Sequence, residues 1–118
     1  MKNITRNLFA LAALGTLALA QAALWERTME GYLLEDETDE FSVRLTRGEY
    51  TLDLVGKNSR GDLDAYVYDN QDNLIVSDEL DDNNPICSFR VLRSGTFTIE
   101  VYNYGAAQAY EGSIYREE

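Results

Sequence analysis

The chain has 118 residues, of which 21 are acidic, 10 are basic and none is histidine, and its formal net charge at pH 7 is −11. A field of this sign repels nucleic acid and anionic lipid, so neither is expected as a partner. The lack of histidine removes the usual general base and the commonest ligand of transition metals. The composition therefore favours solubility and the binding of cations.

The N-terminal segment has the features of a cleaved signal peptide. Lys2 and Arg6 supply positive charge, residues 8–20 form a short apolar run, and Ala22 closes a small-x-small cleavage site. The apolar run is too short to span a bilayer, which needs about 20 residues. We expect cleavage after Ala22 and export to the periplasm or out of the cell. Residues 23–118 would remain as one domain of 96 residues, with a net charge of −13 because two basic residues are lost.

Short strands account for the rest of the chain. Apolar and polar residues alternate in eight segments, which are separated by turn-forming glycine, asparagine and aspartate. The expected strands are residues 28–34, 40–46, 49–56, 63–69, 74–77, 86–92, 96–104 and 110–116. No segment beyond the signal peptide shows a sustained helical period. The pattern predicts an all-β fold, a single jelly-roll-like antiparallel β-sandwich of about eight strands.

One sequence pattern occurs twice. Residues 41–54 (FSVRLTRGEYTLDL) align with residues 87–101 (CSFRVLRSGTFTIEV) after one insertion, Ser94. Both copies alternate apolar and polar residues on either side of a glycine, which is typical of a β-hairpin with one buried face. We expect two hairpins that close on each other as the layers of the sandwich. The buried positions would be Val43, Leu45, Leu52 and Leu54 in the first copy and Phe89, Val91, Ile99 and Val101 in the second.

Cys87 is the only cysteine. Exported domains of this size often contain disulfides, but a single thiol allows none within the chain. In the repeat Cys87 takes the place of Phe41, on the same face as Phe89. We therefore expect a buried thiol that packs as a small apolar residue. Reactive or intermolecular chemistry is the alternative.

The second half of the chain resembles a known family. Residues 61–69 (GDLDAYVYD) and 73–77 (NLIVS) are similar to the core motif of bacterial pre-peptidase C-terminal domains, and residues 87–91 (CSFRV) and 94–102 (SGTFTIEVY) are similar to its ending. Ala65 stands where the motif usually has leucine. The resemblance implies a jelly-roll-like sandwich with a non-catalytic accessory role in secreted proteins, and calcium or matrix-polymer binding in some relatives. Because no peptidase domain precedes the match, a stand-alone secreted copy is expected.

Four tyrosines share the outward parity of two predicted strands. Tyr66 and Tyr68 alternate with apolar residues in one strand, and Tyr102 and Tyr104 do so in another. Exposed tyrosines offer a large amphipathic contact area, so these four form the candidate binding face for an extracellular polymer or a secreted protein. Tyrosines also favour strands and pack across one another, which is the structural alternative.

Asp62 and Asp64 are the candidate metal ligands. They lie two residues apart beside a glycine, and residues 61–84 contain eight acidic residues but no lysine or arginine. Calcium takes about six to eight oxygen ligands, so a second acidic segment, residues 35–40 or 78–82, would have to contribute. The competing explanations are an ion pair between either aspartate and a nearby arginine, and acids that merely suit turns.

Catalysis has little support in the sequence. No serine lies in a G-x-S-x-G elbow, Cys87 has no imidazole partner, and 96 residues leave little room for the cleft of a carboxylate-dependent glycosidase. We expect an exported, monomeric, non-catalytic binding domain that recognises an extracellular polymer or a secreted protein, with calcium as the one candidate cofactor. The alternative is a structural subunit, inhibitor or regulator of a secreted peptidase.

Overall fold

The computed structural model describes residues 25–117 and the two-residue strand Ala10–Leu11. The predicted signal peptide, residues 1–22, lies outside the described residues apart from that strand. In the described part of the chain, no helix is long and apolar enough to cross a membrane. The strands are β1 (Ala10–Leu11), β2 (Glu26–Leu33), β3 (Glu37–Leu45), β4 (Gly48–Gly56), β5 (Leu63–Tyr68), β6 (Leu74–Asp78), β7 (Ile86–Val91), β8 (Gly95–Asn103) and β9 (Gln108–Arg116).

The strands form two antiparallel sheets that pack face to face. One sheet has the order β1-β2-β9-β4-β7, and the other has the order β3-β8-β5-β6. From β2 to β9 this is the strand order of a jelly roll. The prediction of an all-β jelly-roll sandwich of about eight strands is confirmed, and the predicted strand ends agree with the observed ones to within three residues.

The core lies between the sheets because every second side chain of a strand points inward. β7 shows the alternation clearly: Cys87, Phe89 and Val91 are buried, and the residues between them are exposed. The eight positions that the repeat predicts as buried are all buried, with at most 8 % exposure. They are Val43, Leu45, Leu52, Leu54, Phe89, Val91, Ile99 and Val101. This part of the sequence-based prediction is confirmed.

The two copies of the repeated sequence do not form hairpins. The arms of the first copy, β3 and β4, belong to different sheets, and so do the arms of the second, β7 and β8. Each arm pairs with the opposite arm of the other copy, β3 with β8 and β4 with β7. The predicted hairpins, and their arrangement as separate layers, are therefore wrong. A glycine turn between alternating segments does not reveal whether the chain returns to the same sheet or crosses to the other one.

The exchange of arms follows a pseudo-two-fold axis. Val43 pairs with Phe97, and the residues equivalent to them in the other copy, Phe89 and Tyr50, pair with each other. The same correspondence relates Phe41–Ile99 to Cys87–Leu52, Ser42–Thr98 to Ser88–Thr51 and Leu45–Gly95 to Val91–Gly48. The repeat therefore reflects a real internal symmetry, one that joins the two sheets.

Three side-chain amides close one end of the sandwich. Gln108 Nε2 donates to Asn83 Oδ1 at 2.9 Å and to Asn103 Oδ1 at 3.0 Å. Asn103 and Gln108 are almost completely buried. Asn83 Oδ1 accepts the backbone N–H of Leu63 at 3.1 Å, and Asn103 Oδ1 accepts that of Asp62 at 3.3 Å. The amides thereby hold the start of β5, the strand that carries several of the predicted site residues.

Phe89→Ala should lower the free energy of unfolding by about 3–5 kcal/mol, the range for a buried aromatic ring. The Phe89 ring stacks on the Tyr50 ring in the core, with centroids 6.0 Å apart. Urea unfolding measures the loss. Leu92→Ala, at an exposed apolar residue, is the control and should change stability by less than about 0.5 kcal/mol. Similar losses in both variants would contradict the burial of the repeat.

Cys87 should be inert in the native protein. Its side chain is buried in the core, and burial, together with the charge of Asp78, raises the pKa of the thiol to about 12. Because the thiolate is the reactive form, a maleimide should label Cys87 only as the protein unfolds. Cys87→Ala should fold with a loss of about 1 kcal/mol, since one buried heavy atom is removed. Rapid labelling without denaturant would show that the thiol is accessible.

Candidate functional site

The outer face of the sheet β3-β8-β5-β6 brings together most of the predicted site residues. β5 and β8 are neighbours, with Asp64 opposite Tyr102 and Tyr66 opposite Glu100. On the other side of β8, Glu40 of β3 lies opposite Glu100. The residues that alternate with these in β5 and β8 are buried in the core, so the tyrosines and carboxylates point away from it.

All four predicted tyrosines belong to this surface. Tyr66, Tyr68 and Tyr102 are half-buried, while Tyr104, which directly follows β8, is 50 % exposed. The rings of Tyr102 and Tyr104 touch, with centroids 4.2 Å apart. We call the surface the tyrosine–carboxylate face; it consists of Glu40, Asp64, Tyr66, Tyr68, Glu100, Tyr102 and Tyr104. The structure thus brings the four tyrosines together on one surface, and their role in binding stays a prediction.

The turn between β2 and β3 anchors Tyr102. The Tyr102 hydroxyl donates to Asp36 Oδ1 at 3.0 Å, and Asp36 adopts a left-handed backbone conformation with φ of 65°. Aspartate tolerates this conformation better than most residues. Burial, followed by the hydrogen bond to Asp36, raises the pKa of Tyr102 to about 12. The hydroxyl therefore stays protonated and acts as a donor at neutral pH.

Asp64 is the most buried carboxylate of the face, with 5 % exposure. Burial, followed by the negative charges of Asp62 and Glu79, raises the pKa of Asp64 to about 6. A hydrogen bond with Tyr66 lowers that pKa in part. The charged groups that act on Asp64 among the described residues are all acidic. The fold therefore holds a carboxylate where ionisation is unfavourable.

Like charges also meet elsewhere on the face. Glu40 and Glu100 are direct cross-strand neighbours, an arrangement that destabilises a sheet. Burial, and then the charge of Glu40, raises the pKa of Glu100. Burial, and then the charges of Glu100 and Glu79, raises the pKa of Tyr68. The face is therefore both aromatic and strongly negative.

Asp62, the second predicted metal ligand, lies just before β5. Its Oδ1 atom is buried and has no hydrogen-bond partner among the described residues. Burial, followed by the charges of Asp81 and Asp82, raises the pKa of Asp62. Within residues 25–117, no group of three or more histidine, cysteine, aspartate or glutamate side chains is arranged to hold a metal ion. Calcium binding through Asp62 and Asp64 stays a prediction. The competing explanation was an ion pair with an arginine, and the groups that shift the pKa values of the two aspartates include no arginine.

The buried polar residues that support the face were not predicted from the sequence. Asn103 has the same inward parity as Val101, and Gln108 has that of Tyr110. Asp39 is completely buried and accepts the hydroxyl of Tyr110 at 2.6 Å. A polar residue at a core position of an alternating strand is the signal that could have revealed them, because such a residue requires hydrogen-bond partners inside the protein.

No family model matches the chain, and no curated protein matches it. Solved structures do. PliG of Aeromonas hydrophila, a periplasmic inhibitor of g-type lysozyme, matches with a TM-score of 0.63 at 14 % identity, over 98 % of both chains. The pre-peptidase C-terminal domain of Bacillus anthracis collagenase matches with a TM-score of 0.58 at 15 % identity, over 96 % of this chain and 92 % of that one. PliG of Salmonella Typhimurium matches with a TM-score of 0.52 at 16 % identity, over 78 % of this chain and 91 % of that one.

These matches establish the fold. The resemblance to pre-peptidase C-terminal domains, which rested on residues 61–102, is confirmed at the level of the fold by the collagenase domain. The same jelly roll also occurs in inhibitors of a lysozyme. Because one fold hosts unrelated functions, the function of this chain has to be argued from its own surface.

Asp64→Asn should stabilise the protein at neutral pH. The pKa of Asp64 is about 6 in the folded state and about 4 in an unfolded chain. The folded state binds the proton more tightly, so ionisation of Asp64 makes stability fall as the pH rises from about 4 to about 6. The variant should lack this fall and exceed the wild type by about 1–2 kcal/mol at neutral pH.

Urea unfolding between about pH 4 and pH 8, in a buffer with a chelator, measures this difference. It should vanish at the acidic end of the range, where the carboxyl is protonated in both states. A wild type that is more stable than Asp64→Asn at neutral pH would contradict the prediction.

Proposed function

We propose that this chain is an exported, non-catalytic domain that binds a cationic secreted protein through the tyrosine–carboxylate face. The observation that carries the proposal is the juxtaposition of three tyrosines and three carboxylates on neighbouring strands of one sheet, with Tyr104 directly after β8 and in contact with Tyr102. Aromatic rings supply a large contact area at low entropic cost, and tyrosine is enriched at protein interfaces. The predicted signal peptide and the periplasmic PliG neighbours support export.

The charge of the face favours a cationic partner. Glu40 and Glu100 repel each other across neighbouring strands, and Asp64 is surrounded by acidic groups. A partner with lysine or arginine at this position would relieve the repulsion, and it would be attracted from a distance by the net charge of −13 that residues 23–118 carry. A neutral polymer would do neither, so a protein partner is favoured over a polymer.

Inhibition of a secreted hydrolase is the form of binding that we put first. The PliG proteins of Aeromonas hydrophila and Salmonella Typhimurium, which share this fold, are inhibitors of g-type lysozyme. Regulation of a secreted peptidase through the same surface is the second form of binding. The pre-peptidase C-terminal domain of collagenase, which has the same fold, supports it. In either case the chain acts by covering its partner and needs no catalytic group.

Tyr66→Ser/Tyr102→Ser should weaken binding to the partner at least tenfold, because two central aromatic contacts are lost. Calorimetric titration with a basic g-type lysozyme and with a basic secreted peptidase measures the affinity, and inhibition of each enzyme gives a second reading. The melting temperature should change little, since neither ring lies in the core between the sheets.

Tyr32→Ser/Tyr115→Ser is the matched control. These tyrosines lie on β2 and β9, away from the tyrosine–carboxylate face, and the double change should leave binding intact. Cytochrome c serves as a basic protein that should not bind. The proposal is wrong if neither enzyme binds, if both double variants bind equally well, or if the chain binds fibrillar collagen and no cationic protein. A large fall in melting temperature would mean that the rings are structural.

A further inference from the structure

The surroundings of Asp64 contain many hydrogen-bond acceptors and few donors. Tyr66 makes a side-chain hydrogen bond with Asp64 and another with Glu79. A tyrosine hydroxyl carries one proton, so it can donate to only one of the two carboxylates at a time. Nearby, Asp62 Oδ1 is buried and receives no hydrogen bond from the described residues. For the three carboxylates, the one identified side-chain donor is therefore Tyr66, and it serves only Asp64 and Glu79.

No positive charge offsets these carboxylates among the groups that act on Asp64. Its charged neighbours are Asp62, Glu79 and Asp78. The sequence between Arg60 and Arg90 contains no lysine or arginine. Burying a carboxylate without a partner of opposite charge costs stability, because the group loses water and gains nothing in return. The folded monomer carries this cost, and a bound cation would remove it.

Aromatic rings flank the same position. Tyr102 lies directly opposite Asp64 on β8, Tyr66 follows two residues later on the same face of β5, and Tyr104 touches Tyr102. A planar guanidinium group stacks on aromatic rings and offers five N–H donors in a fixed geometry to carboxylates. Its chemistry complements both the rings and the unsatisfied acceptors.

We propose that Asp62, Asp64 and Glu79 form the acceptor side of a socket that receives an arginine side chain of the bound protein, with Tyr66 and Tyr102 against the guanidinium plane. The inference rests on the proposed function and names the group that the partner presents. The guanidinium supplies the missing donors and the missing positive charge, and Tyr66 no longer has to be shared between two carboxylates.

N-acetyl-arginine methylamide tests the socket without a protein partner. Titration into isotope-labelled protein, in a buffer with a chelator, should shift the backbone amide signals of residues 62–66 and of Tyr102 in a saturable manner. N-acetyl-citrulline methylamide is the neutral isostere and should cause no such shifts. Asp64→Asn should weaken the binding of the arginine probe at least tenfold, although the same variant is expected to be more stable than the wild type. If Asp64 had only a structural role, the variant would not lose affinity for the arginine probe while it gains stability.

Asp53→Asn is the matched control variant. Asp53 is a half-buried aspartate of β4, in the other sheet, so the substitution makes the same change in net charge away from the socket. It should bind the arginine probe like the wild type. If both variants weaken binding equally, or if citrulline shifts the same signals as arginine, general attraction or polar contact explains the binding and the socket is wrong.

Calcium is the competing occupant. A calcium-dependent rise in melting temperature that Asp62→Asn/Asp64→Asn abolishes, at fixed ionic strength, would assign these carboxylates to a metal ion and overturn the proposal. The socket also falls if Tyr66→Ser/Tyr102→Ser weakens protein binding and Asp64→Asn does not, and the tyrosine–carboxylate face then stands. If the arginine probe binds at Asp64 and no cationic protein binds the chain, the socket stands and the proposed function is wrong.

Discussion

Neither copy of the repeated sequence can complete its hydrogen bonds alone, and this constraint organises the sandwich. β3 finds its partner in β8 and β4 finds its partner in β7, so each sheet contains one arm from each copy. Strands that are far apart in sequence lose loop-closure entropy before their hydrogen bonds and packing contacts stabilise the pair. The two copies must therefore come together for either sheet to form, and the core that they enclose is shared. A destabilising substitution in one copy should therefore affect both sheets.

The crossing of the chain between sheets creates loops at the ends of the sandwich, and buried amides hold them. Asn103 donates to the backbone carbonyls of Leu33 and Ala106, at 3.2 and 3.0 Å, while Asn83 donates to that of Asn58 at 2.8 Å. These carbonyls would otherwise lose water without gaining a partner. The same amides accept the N–H groups at the start of β5. The same buried amides thus order the loops and position the strand that carries the candidate site.

The two faces of the sheet β3-β8-β5-β6 differ in polarity and in their effect on stability. Its inner face is apolar and packs against the other sheet, which supplies the stability of the fold. Its outer face tolerates a cross-strand pair of glutamates and a buried aspartate, although both disfavour folding. Unfavourable charge of this kind is commonly found at functional sites, where a ligand offsets it. Structures at 14–16 % identity share the fold of this chain.

Alternation along the strands was sufficient to predict the all-β class, the eight strands and the buried set, because burial in a sandwich follows a period of two that each strand displays by itself. The same parity placed Tyr66 and Tyr102 on an outward face. Only the tertiary structure decided that the arms of each copy cross between sheets, since a turn sequence does not encode the partner of the strand that follows it. It also decided that β5 and β8 are neighbours and that Asp64 is buried among acids. Those facts depend on which distant segments pair, and the local sequence does not determine this pairing.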